Sequence, residues 1–390
     1  MKKIGRFIKW LVIVLILVNL GLWFTGYGYI LRAVTMTYFV GQGGPGIDEK
    51  ESFFNDTIRS VQESVPWGEH PQLGQISISD ALVEKIESIQ TVGFLVIKNN
   101  KLLYENYWGG FDKHHTTNSF SAVKSLVSLL IGIAVDEGRI GSIDDRVGAY
   151  LEEFNNNGKE AITIRHLLTM SSGLNWSESG ANPFSNTAEA YYGKDLVGLI
   201  SGLEAISPPG IEFKYQSGNT QILGFLLEAA TQQTIAEYTE KTIWGKIGAE
   251  DDAYWNLDDE NGRAKAFCCF YSTPRDYAKL GQLIINKGVW NGLRVVPADY
   301  IEECFIPADI NDNGKPLARY GLHWWVLNYN GLDICYARGI SGQYVIAIPS
   351  EGIVIVRTGW KREKVDGTGH PADIYYYIDA ALELINNIHA

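Results

Sequence analysis

Apolar residues form short strand-like runs near both ends of the chain and longer helical runs in the middle. Residues 92–110, "VGFLVIKNNKLLYENYWGG", place two apolar runs around "KNNK", whose turn chemistry predicts a β-hairpin. Three further runs rich in β-branched residues predict strands near the C-terminus, at 332–340, 343–352 and 353–360. Between these two groups of strands, apolar residues recur at helical spacing. The pattern at 372–388 predicts a last helix that packs on the sheet. This order predicts an α+β fold, with an antiparallel sheet built from N- and C-terminal parts, flanking helices and a helical insertion at roughly 120–285.

The first 31 residues carry the strongest hydrophobic signal. Residues 1–10 include four basic side chains and no acidic one, and residues 11–31 contain no charged side chain. A run of that length crosses a bilayer as a helix, with its basic end in the cytoplasm. An uncleaved signal anchor is favoured over a cleaved signal peptide, because the apolar run continues past Gly26 without a clear small-x-small cleavage site. We therefore expect a cytoplasmic tail at 1–10, a membrane anchor at 11–31 and an exported remainder, in the bacterial periplasm or at the cell exterior.

Residues 32–76 predict a connecting arm that wraps the main domain, which extends from 77 to 390. Within this arm, residues 41–46 read "GQGGPG" and match a nucleotide-binding glycine pattern letter by letter. Pro45 prevents a helix from following cleanly, and no strand precedes the glycines, so we expect a turn or linker instead of a nucleotide site.

Composition narrows the functional classes. The net charge of −12 and the lack of a basic patch argue against a nucleic-acid partner. Cys268, Cys269, Cys304 and Cys335 have no C-x-x-C spacing, which argues against a metal site. We expect the adjacent Cys268 and Cys269 to be packed thiols, while a disulfide between Cys304 and Cys335 stays open. No pattern in the chain indicates its oligomeric state.

The stretch at 119–125, "SFSAVKS", opens a long apolar helix with a hydroxyl and a lysine. Ser121 and Lys124 share one face of a helix at this spacing. A serine hydroxyl becomes a good nucleophile only when a base removes its proton. A lysine amine can be that base if a helix N-terminus and partial burial disfavour its ammonium form. The pair is thus a candidate nucleophile and base, with an N-cap serine and a solvent-reaching lysine as the alternative.

Two later segments contain groups that such a nucleophile needs. Tyr215 lies in a turn just before a helix, where a phenol can relay a proton to a leaving group. Gly339 permits a close backbone approach, so the Ile340 N–H can join the Ser121 N–H in an oxyanion hole. The alternatives are a core tyrosine and an ordinary glycine turn.

Taken with "IGIAVDEGRIGSIDD", "ITIRHLLTMSSGLNW", "PPGIEFKYQSGNTQILG" and "GISGQYVIAIP", the Ser-x-x-Lys stretch resembles the serine hydrolases of the class C β-lactamase and penicillin-recognising superfamily. The similarity is greatest to the esterase and 6-aminohexanoate-oligomer hydrolase branch and covers roughly residues 78–388. It implies a β-lactamase/transpeptidase-like fold and a reaction without metal or cofactor. It also implies Ser121 as nucleophile, Lys124 as base, Tyr215 as proton donor to the leaving group, and oxyanion N–H groups on Ser121 and Ile340. Ser217 falls where many members have Asn.

The third family motif departs from its usual form. Instead of Lys-Thr-Gly or His-x-Gly, the chain has Ala337, Arg338 and Gly339, so the cation that holds a β-lactam carboxylate is missing from the first position. Arg338 is one residue further along, and on a strand that shift points its side chain to the other face. The resemblance therefore implies cleavage of small esters or linear amides. A D-amino-acid peptidase, a carboxypeptidase or a β-lactamase is the enzymatic alternative, and a penicillin-binding-like sensor of cell-wall fragments is the non-enzymatic one.

Several residues near these motifs are candidates for substrate contact. Trp176 and Tyr191 lie in a loop-like region that can wall a pocket, and His323 and Trp324 lie beside a predicted strand. Core packing is the alternative for each, since aromatic side chains near strands are usually buried. The candidate substrate-binding residues are Ser217, Gly339, Trp176, Tyr191, His323 and Trp324. The expected partners are a small ester or amide and, through the N-terminal helix, a membrane.

Overall fold

The computed structural model describes residues 2–60, 64–180 and 182–388. The α-helices in these ranges are α1 (Lys2–Phe24), α2 (Tyr29–Met36), α3 (Asp80–Ser88), α4 (Val123–Asp136), α5 (Ile164–Leu168), α6 (Asn186–Tyr192), α7 (Leu196–Ser201), α8 (Ser217–Thr231), α9 (Ile235–Thr239), α10 (Pro274–Ile285), α11 (Ala298–Cys304) and α12 (Ile374–Ile388). The strands are β1 (Asn55–Ile58), β2 (Gly68–Glu69), β3 (Thr91–Lys98), β4 (Lys101–Tyr107), β5 (Thr117–Asn118), β6 (Ala253–Asn256), β7 (Phe270–Ser272), β8 (Val289–Trp290), β9 (Leu293–Arg294), β10 (Asn311–Asp312), β11 (Lys315–Pro316), β12 (Trp325–Tyr329), β13 (Leu332–Gly339), β14 (Gln343–Ile348) and β15 (Ile353–Gly359).

A seven-stranded sheet forms the centre of the fold, in the order β12-β13-β14-β15-β3-β4-β2. Its neighbours pair antiparallel, apart from the short β2, which runs parallel to β4. Asn99 and Asn100 connect β3 to β4 with positive φ angles, the conformation that a tight two-residue hairpin requires. The hairpin near the N-terminus therefore lies beside the C-terminal strands, and the predicted α+β architecture is confirmed.

Both faces of this sheet are buried, which makes the molecule a three-layer structure. In β15, Ile353 and Ile355 belong to one apolar cluster and Val354 and Val356 to the other, because successive side chains point to opposite faces. α10 packs on the face of the valines, and α3 and α12 pack on the opposite face. Burial on both faces explains why these strands read as continuous apolar runs.

The region between the two parts of the sheet is mainly helical, with α4 packed against α8. It also contains β6 and β7, which join a second antiparallel sheet in the order β1-β6-β7-β5. β5 comes shortly before the Ser-x-x-Lys stretch and β7 follows the two adjacent cysteines. This small sheet therefore supports the start of α4 from one side.

The N-terminal apolar run forms two helices instead of one. α1 ends at Phe24, and Gly26, at φ +82°, turns the chain before α2 begins at Tyr29. The predicted span at 11–31 thus contains a break, and the helix extends further towards the N-terminus. Residues 3–24 are long and apolar enough to cross a membrane, and none of the most apolar stretch is buried within the molecule.

The arm that follows is built into the main domain. β1 pairs with β6 from Asn55 opposite Asn256 to Ile58 opposite Ala253. Four arm side chains lie in the apolar core: Ile47, Phe53, Ile58 and Trp67. The arm therefore contributes to the core as well as to the surface of the domain.

The cysteines are arranged differently from the expectation. Cys268 and Cys269 form a disulfide with an S–S distance of 2.03 Å, so the prediction of packed thiols is wrong for this pair. Adjacent residues are seldom bridged, which is why the sequence favoured thiols. Cys304 and Cys335 are buried free thiols, so the alternative of a bridge between them does not hold.

Candidate active site

Ser121 lies in a short 3-10 turn that leads directly into α4. The preceding Phe120 has φ +45°, a left-handed conformation that is strained for a bulky side chain. The turn is held by hydrogen bonds from the Phe120 N–H to Asn118 Oδ1 at 2.9 Å and from the Ser119 N–H to the Phe270 carbonyl at 2.8 Å. This local strain, fixed by its surroundings, presents Ser121 at the start of the helix.

Lys124 follows one helical turn later and is fully buried. Its Nζ lies 3.0 Å from Ser121 Oγ and donates a hydrogen bond to the Phe267 carbonyl at 2.7 Å. Burial lowers the pKa of Lys124 to about 8, while the charge of Glu178 acts in the opposite direction. An appreciable share of the amine is therefore neutral near pH 7 to 8 and has a lone pair available for the serine proton.

Tyr215 approaches the same hydroxyl from another side. The centre of its ring lies 5.4 Å from Lys124 Nζ, and the Ser121 side chain is near enough to lower the pKa of Tyr215 somewhat. Its ring also packs against Tyr320 and Trp325, with centroid separations of 6.1 and 5.8 Å. Burial raises the pKa of Tyr215 well above its ordinary value, so the group is a neutral phenol that can donate a proton.

Ile340 lies where β13 ends, beside the turn that contains Ser121. A Cβ atom on Gly339 would overlap the Ser119 carbonyl oxygen and lie 3.2 Å from Phe120 Cβ, so this approach depends on glycine. The Ser121 N–H is at a helix start, where N–H groups lack an intrahelical acceptor. The geometry thus brings the backbone of Ile340 to the turn Phe120–Ala122, called here the nucleophile turn, and an oxyanion hole requires this approach.

A cavity of about 290 Å³ opens in front of Ser121. Ile340, Ser217 and Tyr191 are among its walls, and the described wall residues include no lysine or arginine. The "GQGGPG" segment also contributes to it through residues 43–45, which are a loop, as expected. The described lining residues are Ile30, Ala33, Val34, Thr37, Tyr38, Gly43, Gly44, Pro45, Phe120, Ser121, Glu178, Gly180, Pro183, Thr187, Ala188, Tyr191, Tyr192, Ser217, Phe267, Cys268 and Ile340.

Glu178 is a wall residue that the sequence reasoning missed. Its carboxylate accepts hydrogen bonds from the Ser217 N–H at 2.7 Å, the Ser217 hydroxyl at 2.8 Å and Trp176 Nε1 at 2.8 Å. A carboxylate at the N-terminus of α8 is favourable because the first N–H groups of a helix lack partners. No motif marks this position, and only its place in the loop predicted to wall the pocket points to it.

Four predicted contact residues are not among the cavity walls: Gly339, which packs against the turn that contains Ser121, and the three large side chains of Trp176, His323 and Trp324. Trp176 is buried beside Gly218, at the start of α8. His323 is buried, with Nδ1 2.7 Å from the Leu168 carbonyl oxygen and Nε2 2.9 Å from Thr220 Oγ1. Burial also lowers the pKa of His323 to about 3, so it is neutral.

Trp324 packs behind α4 with Ala122, Ser125 and Leu129, on the side away from the cavity in front of Ser121. The structure therefore does not bring Trp176, His323 or Trp324 to the cavity, and their large side chains serve the core.

The altered third motif offers no cation to this cavity. Arg338 lies over the Trp325 ring at 3.4 Å and donates from Nη1 to the Gly369 carbonyl at 3.1 Å. Ala337 is buried on the opposite face of β13, in the apolar cluster that contains α4. In the described parts of the chain, no group of three or more His, Cys, Asp or Glu side chains is placed to hold a metal ion.

Comparisons with known proteins identify the family and the fold. A family model described as Beta-lactamase matches residues 79–367. The 6-aminohexanoate-dimer hydrolase of Paenarthrobacter ureafaciens is 28% identical over 301 residues, covering 71% of this chain and 74% of the relative. A Bacillus anthracis structure provisionally named a 6-aminohexanoate-dimer hydrolase has a TM-score of 0.76 at 22% identity, covering 86% of this chain and 92% of its own. A family VIII carboxylesterase has a TM-score of 0.62 at 18% identity, covering 81% of this chain and 98% of its own.

The solved structures share the fold with this chain, and the family model spans most of its length. The protein is therefore a member of the beta-lactamase family of hydrolases, with the β-lactamase/transpeptidase-like fold.

Proposed function

We propose that the protein is a serine hydrolase that cleaves small esters or linear amides through an acyl-enzyme on Ser121. The strongest support is the 3.0 Å contact between the buried Lys124 amine and the Ser121 hydroxyl, at the mouth of a cavity that Ile340 also lines. Burial that favours the neutral amine makes Lys124 suited to the role of general base.

In the acylation step, Ser121 Oγ attacks the substrate carbonyl carbon while Lys124 Nζ takes the hydroxyl proton. A new C–O bond forms, and the carbonyl oxygen becomes an oxyanion that accepts hydrogen bonds from the Ser121 and Ile340 N–H groups. The bond to the leaving group then breaks as Tyr215 donates its proton to the leaving oxygen or nitrogen. The proton held on Lys124 restores the phenol, so charge and protons balance.

In the deacylation step, water attacks the acyl-enzyme carbonyl carbon. Lys124 Nζ takes one proton from this water as the new C–O bond forms, and the bond to Ser121 Oγ then breaks as the same proton is delivered to that oxygen. The products are the free acid and the unchanged enzyme. The 28% identical relative is named for hydrolysis of a linear amide dimer, and a structural neighbour is named a carboxylesterase, which supports both substrate classes.

The residues that line the cavity favour esters and linear amides over β-lactams. Arg338 is not among the cavity walls and is engaged with Trp325 and Gly369, so the cavity itself offers a β-lactam carboxylate no cation. The same lack weakens the case for a carboxypeptidase, which must also bind a carboxylate. A non-enzymatic sensor is disfavoured because the proposed base contacts the proposed nucleophile and the Tyr215 ring lies 5.4 Å from that base.

For the N-terminus, we propose that α1 anchors the protein in a membrane with residues 77–390 exported. Its apolar side chains are exposed, for example Trp23 at 71% and Phe24 at 78%, and four basic residues precede or enter the span. A protease-protection assay on cells or spheroplasts that carry the full chain tests this orientation. If the folded domain is cleaved only when the protease has access to the cytoplasmic side of the membrane, the proposed orientation is contradicted.

The enzymatic proposal is tested with p-nitrophenyl acetate and butyrate. Wild type is expected to show turnover that Ser121→Ala abolishes and Lys124→Ala lowers by about 10²- to 10⁴-fold. His166→Ala, a change at a histidine outside the cavity walls, is the matched control and should retain turnover. Equal rates in wild type and Ser121→Ala would contradict the proposal, provided that both variants show the same unfolding temperature.

A further inference from the structure

The far wall of the cavity comes from the N-terminal arm. α2 contributes Ile30, Ala33 and Val34, and the chain after it contributes residues 43–45. Opposite them lie Thr187, Ala188 and Tyr191 of α6. α2 and α6 are in direct contact. The space that continues from Ser121 is therefore bounded mainly by small and apolar side chains.

The arm is fixed in place by contacts at several points along its length. Arg32 Nη1 donates to the Tyr192 carbonyl at 3.3 Å, and its guanidinium lies 4.7 Å from the centre of the Phe53 ring. Further along, the Asn118 N–H donates to the Ile47 carbonyl at 2.7 Å, just before the nucleophile turn. These contacts hold the arm, and the apolar wall that it carries, against the main domain beside the site.

The position of Tyr215 shows which part of a substrate this cavity takes. Tyr215, the proposed proton donor to the leaving group, is outside the cavity walls and packs towards Tyr320 and Trp325. The leaving group must be next to that phenol, so the cavity, whose walls include Ser121 and leave out Tyr215, remains for the acyl group. A partly open space of about 290 Å³ whose walls are mainly apolar, with the Glu178 carboxylate already bonded to Ser217 and Trp176, fits an extended hydrocarbon chain better than an anionic or hydrated group.

We propose that α2 and residues 43–45 form an acyl-chain site, and that the preferred substrates are esters or amides of medium-length apolar acids. This inference rests on the proposed serine hydrolase function and specifies its substrate class. The site lies next to the proposed membrane anchor. Tyr27, in the link between α1 and α2, contacts Phe184 at 5.2 Å between ring centroids, in the loop that carries the wall residue Pro183.

The experiment compares p-nitrophenyl acetate, butyrate, octanoate and laurate with the full-length protein in detergent. We expect kcat/KM to rise from acetate to octanoate, because each added methylene that enters an apolar site contributes binding in the transition state. In Ala33→Trp, which fills the cavity, the ratio of octanoate to acetate kcat/KM should fall by about tenfold or more. Thr35→Trp, on the exposed side of the same helix, is the matched control and should retain the wild-type ratio.

A second variant protects the test if Ala33→Trp fails to fold. Ile30→Ala enlarges the same wall, and we expect it to move the preferred chain length towards laurate. An octanoate-to-acetate ratio that neither wall change alters would overturn the acyl-chain site. If wild type instead hydrolyses none of the esters faster than Ser121→Ala does, the proposed function itself is refuted, so the two failures are distinguishable.

A further experiment distinguishes soluble esters from lipids as the source of the acyl chain. Release of octanoate from dioctanoyl phosphatidylcholine in mixed micelles, lost in Ser121→Ala and reduced in Ala33→Trp, supports a site that accepts membrane lipids. Cleavage of the p-nitrophenyl octanoate alone supports the same site with soluble esters as its substrates.

Discussion

Lys124 shows how a single residue links reactivity to stability in this protein. Its amine is removed from water and faces one hydroxyl and one carbonyl oxygen, so that burial lowers its pKa from 10.5 to about 8. A displacement of this size corresponds to about 3 kcal/mol of preference for the neutral amine. The same burial that suits Lys124 to the proposed role of base therefore destabilises the folded state whenever the amine must be charged.

The first prediction concerns the pH dependence of the reaction. Because only the neutral amine accepts the Ser121 proton, kcat/KM should rise with pH and level off above an apparent pKa of about 8. In Glu178→Gln the rise should move to lower pH, since the charge of Glu178 raises the pKa of Lys124. A pH profile of p-nitrophenyl butyrate hydrolysis measures both. A profile that is flat between pH 6 and 9 would contradict the role of Lys124.

The second prediction concerns stability. The pKa of Lys124 is lower in the folded state than in the unfolded chain, so the unfolded chain binds more protons between about pH 8 and 10.5. The resulting penalty is complete below pH 8 and disappears as pH rises towards 10.5. Lys124→Met, which leaves the Phe267 carbonyl without this donor at every pH, should gain stability relative to wild type as pH falls from 10.5 to 8. Urea unfolding across this range measures the difference, and a constant difference would refute the prediction.

At the residue scale, the sequence predicted groups that are close in the chain or in a known motif. Ser121 and Lys124 meet because three residues separate them at a helix start, a relation that is readable from spacing alone. Glu178 could not be predicted in this way, because it reaches Ser217 only through the path of a long loop. His323 and Trp324 were predicted to contact substrate because they lie beside a strand in the sequence. The backbone, which has φ +62° at His323, turns their side chains into the core instead.

At the element scale, the contact between the end of β13 and the turn that contains Ser121 positions Ile340, the second of the two proposed oxyanion groups. Gly339→Ala should push these two segments apart, because its Cβ would overlap the Ser119 carbonyl oxygen. We expect kcat to fall by about 100-fold, the usual effect of losing one oxyanion donor. Gly68→Ala in β2, where a Cβ meets no atom within 4 Å, is the control and should keep kcat. An unchanged kcat in a folded Gly339→Ala variant would remove Ile340 from the mechanism.

The sequence also predicted the main sheet at this scale, since a strand buried on both faces leaves a continuous apolar run. It did not predict that the arm enters the active-site cavity. The pairing of β1 with β6 joins residues about 200 positions apart, and neither short strand has an apolar pattern of its own. Such long-range pairing depends on the shape of the whole domain and has no local signature.

At the scale of the whole molecule, the arm and the hydrolase domain fold as one unit. Ile47, Phe53 and Ile58 are buried in the core, and full burial of a large apolar side chain contributes about 2 kcal/mol. A chain that begins at residue 77 should therefore unfold at lower temperature than one that begins at residue 25, and should lose selectivity for long acyl chains. Thermal unfolding and the octanoate-to-acetate ratio of the two chains measure this. Equal unfolding temperatures would show that the arm is dispensable for the fold.

The central claim is that catalysis proceeds through an acyl group on Ser121, and intact-protein mass spectrometry after acid quenching tests it most directly. Full-length protein mixed with p-nitrophenyl butyrate for seconds should gain the mass of one butyryl group, located by peptide mapping to the fragment that contains Ser121. The adduct should be absent in Ser121→Ala and should disappear from wild type as substrate is exhausted. An adduct on another residue, or undiminished turnover by Ser121→Ala, would contradict the account.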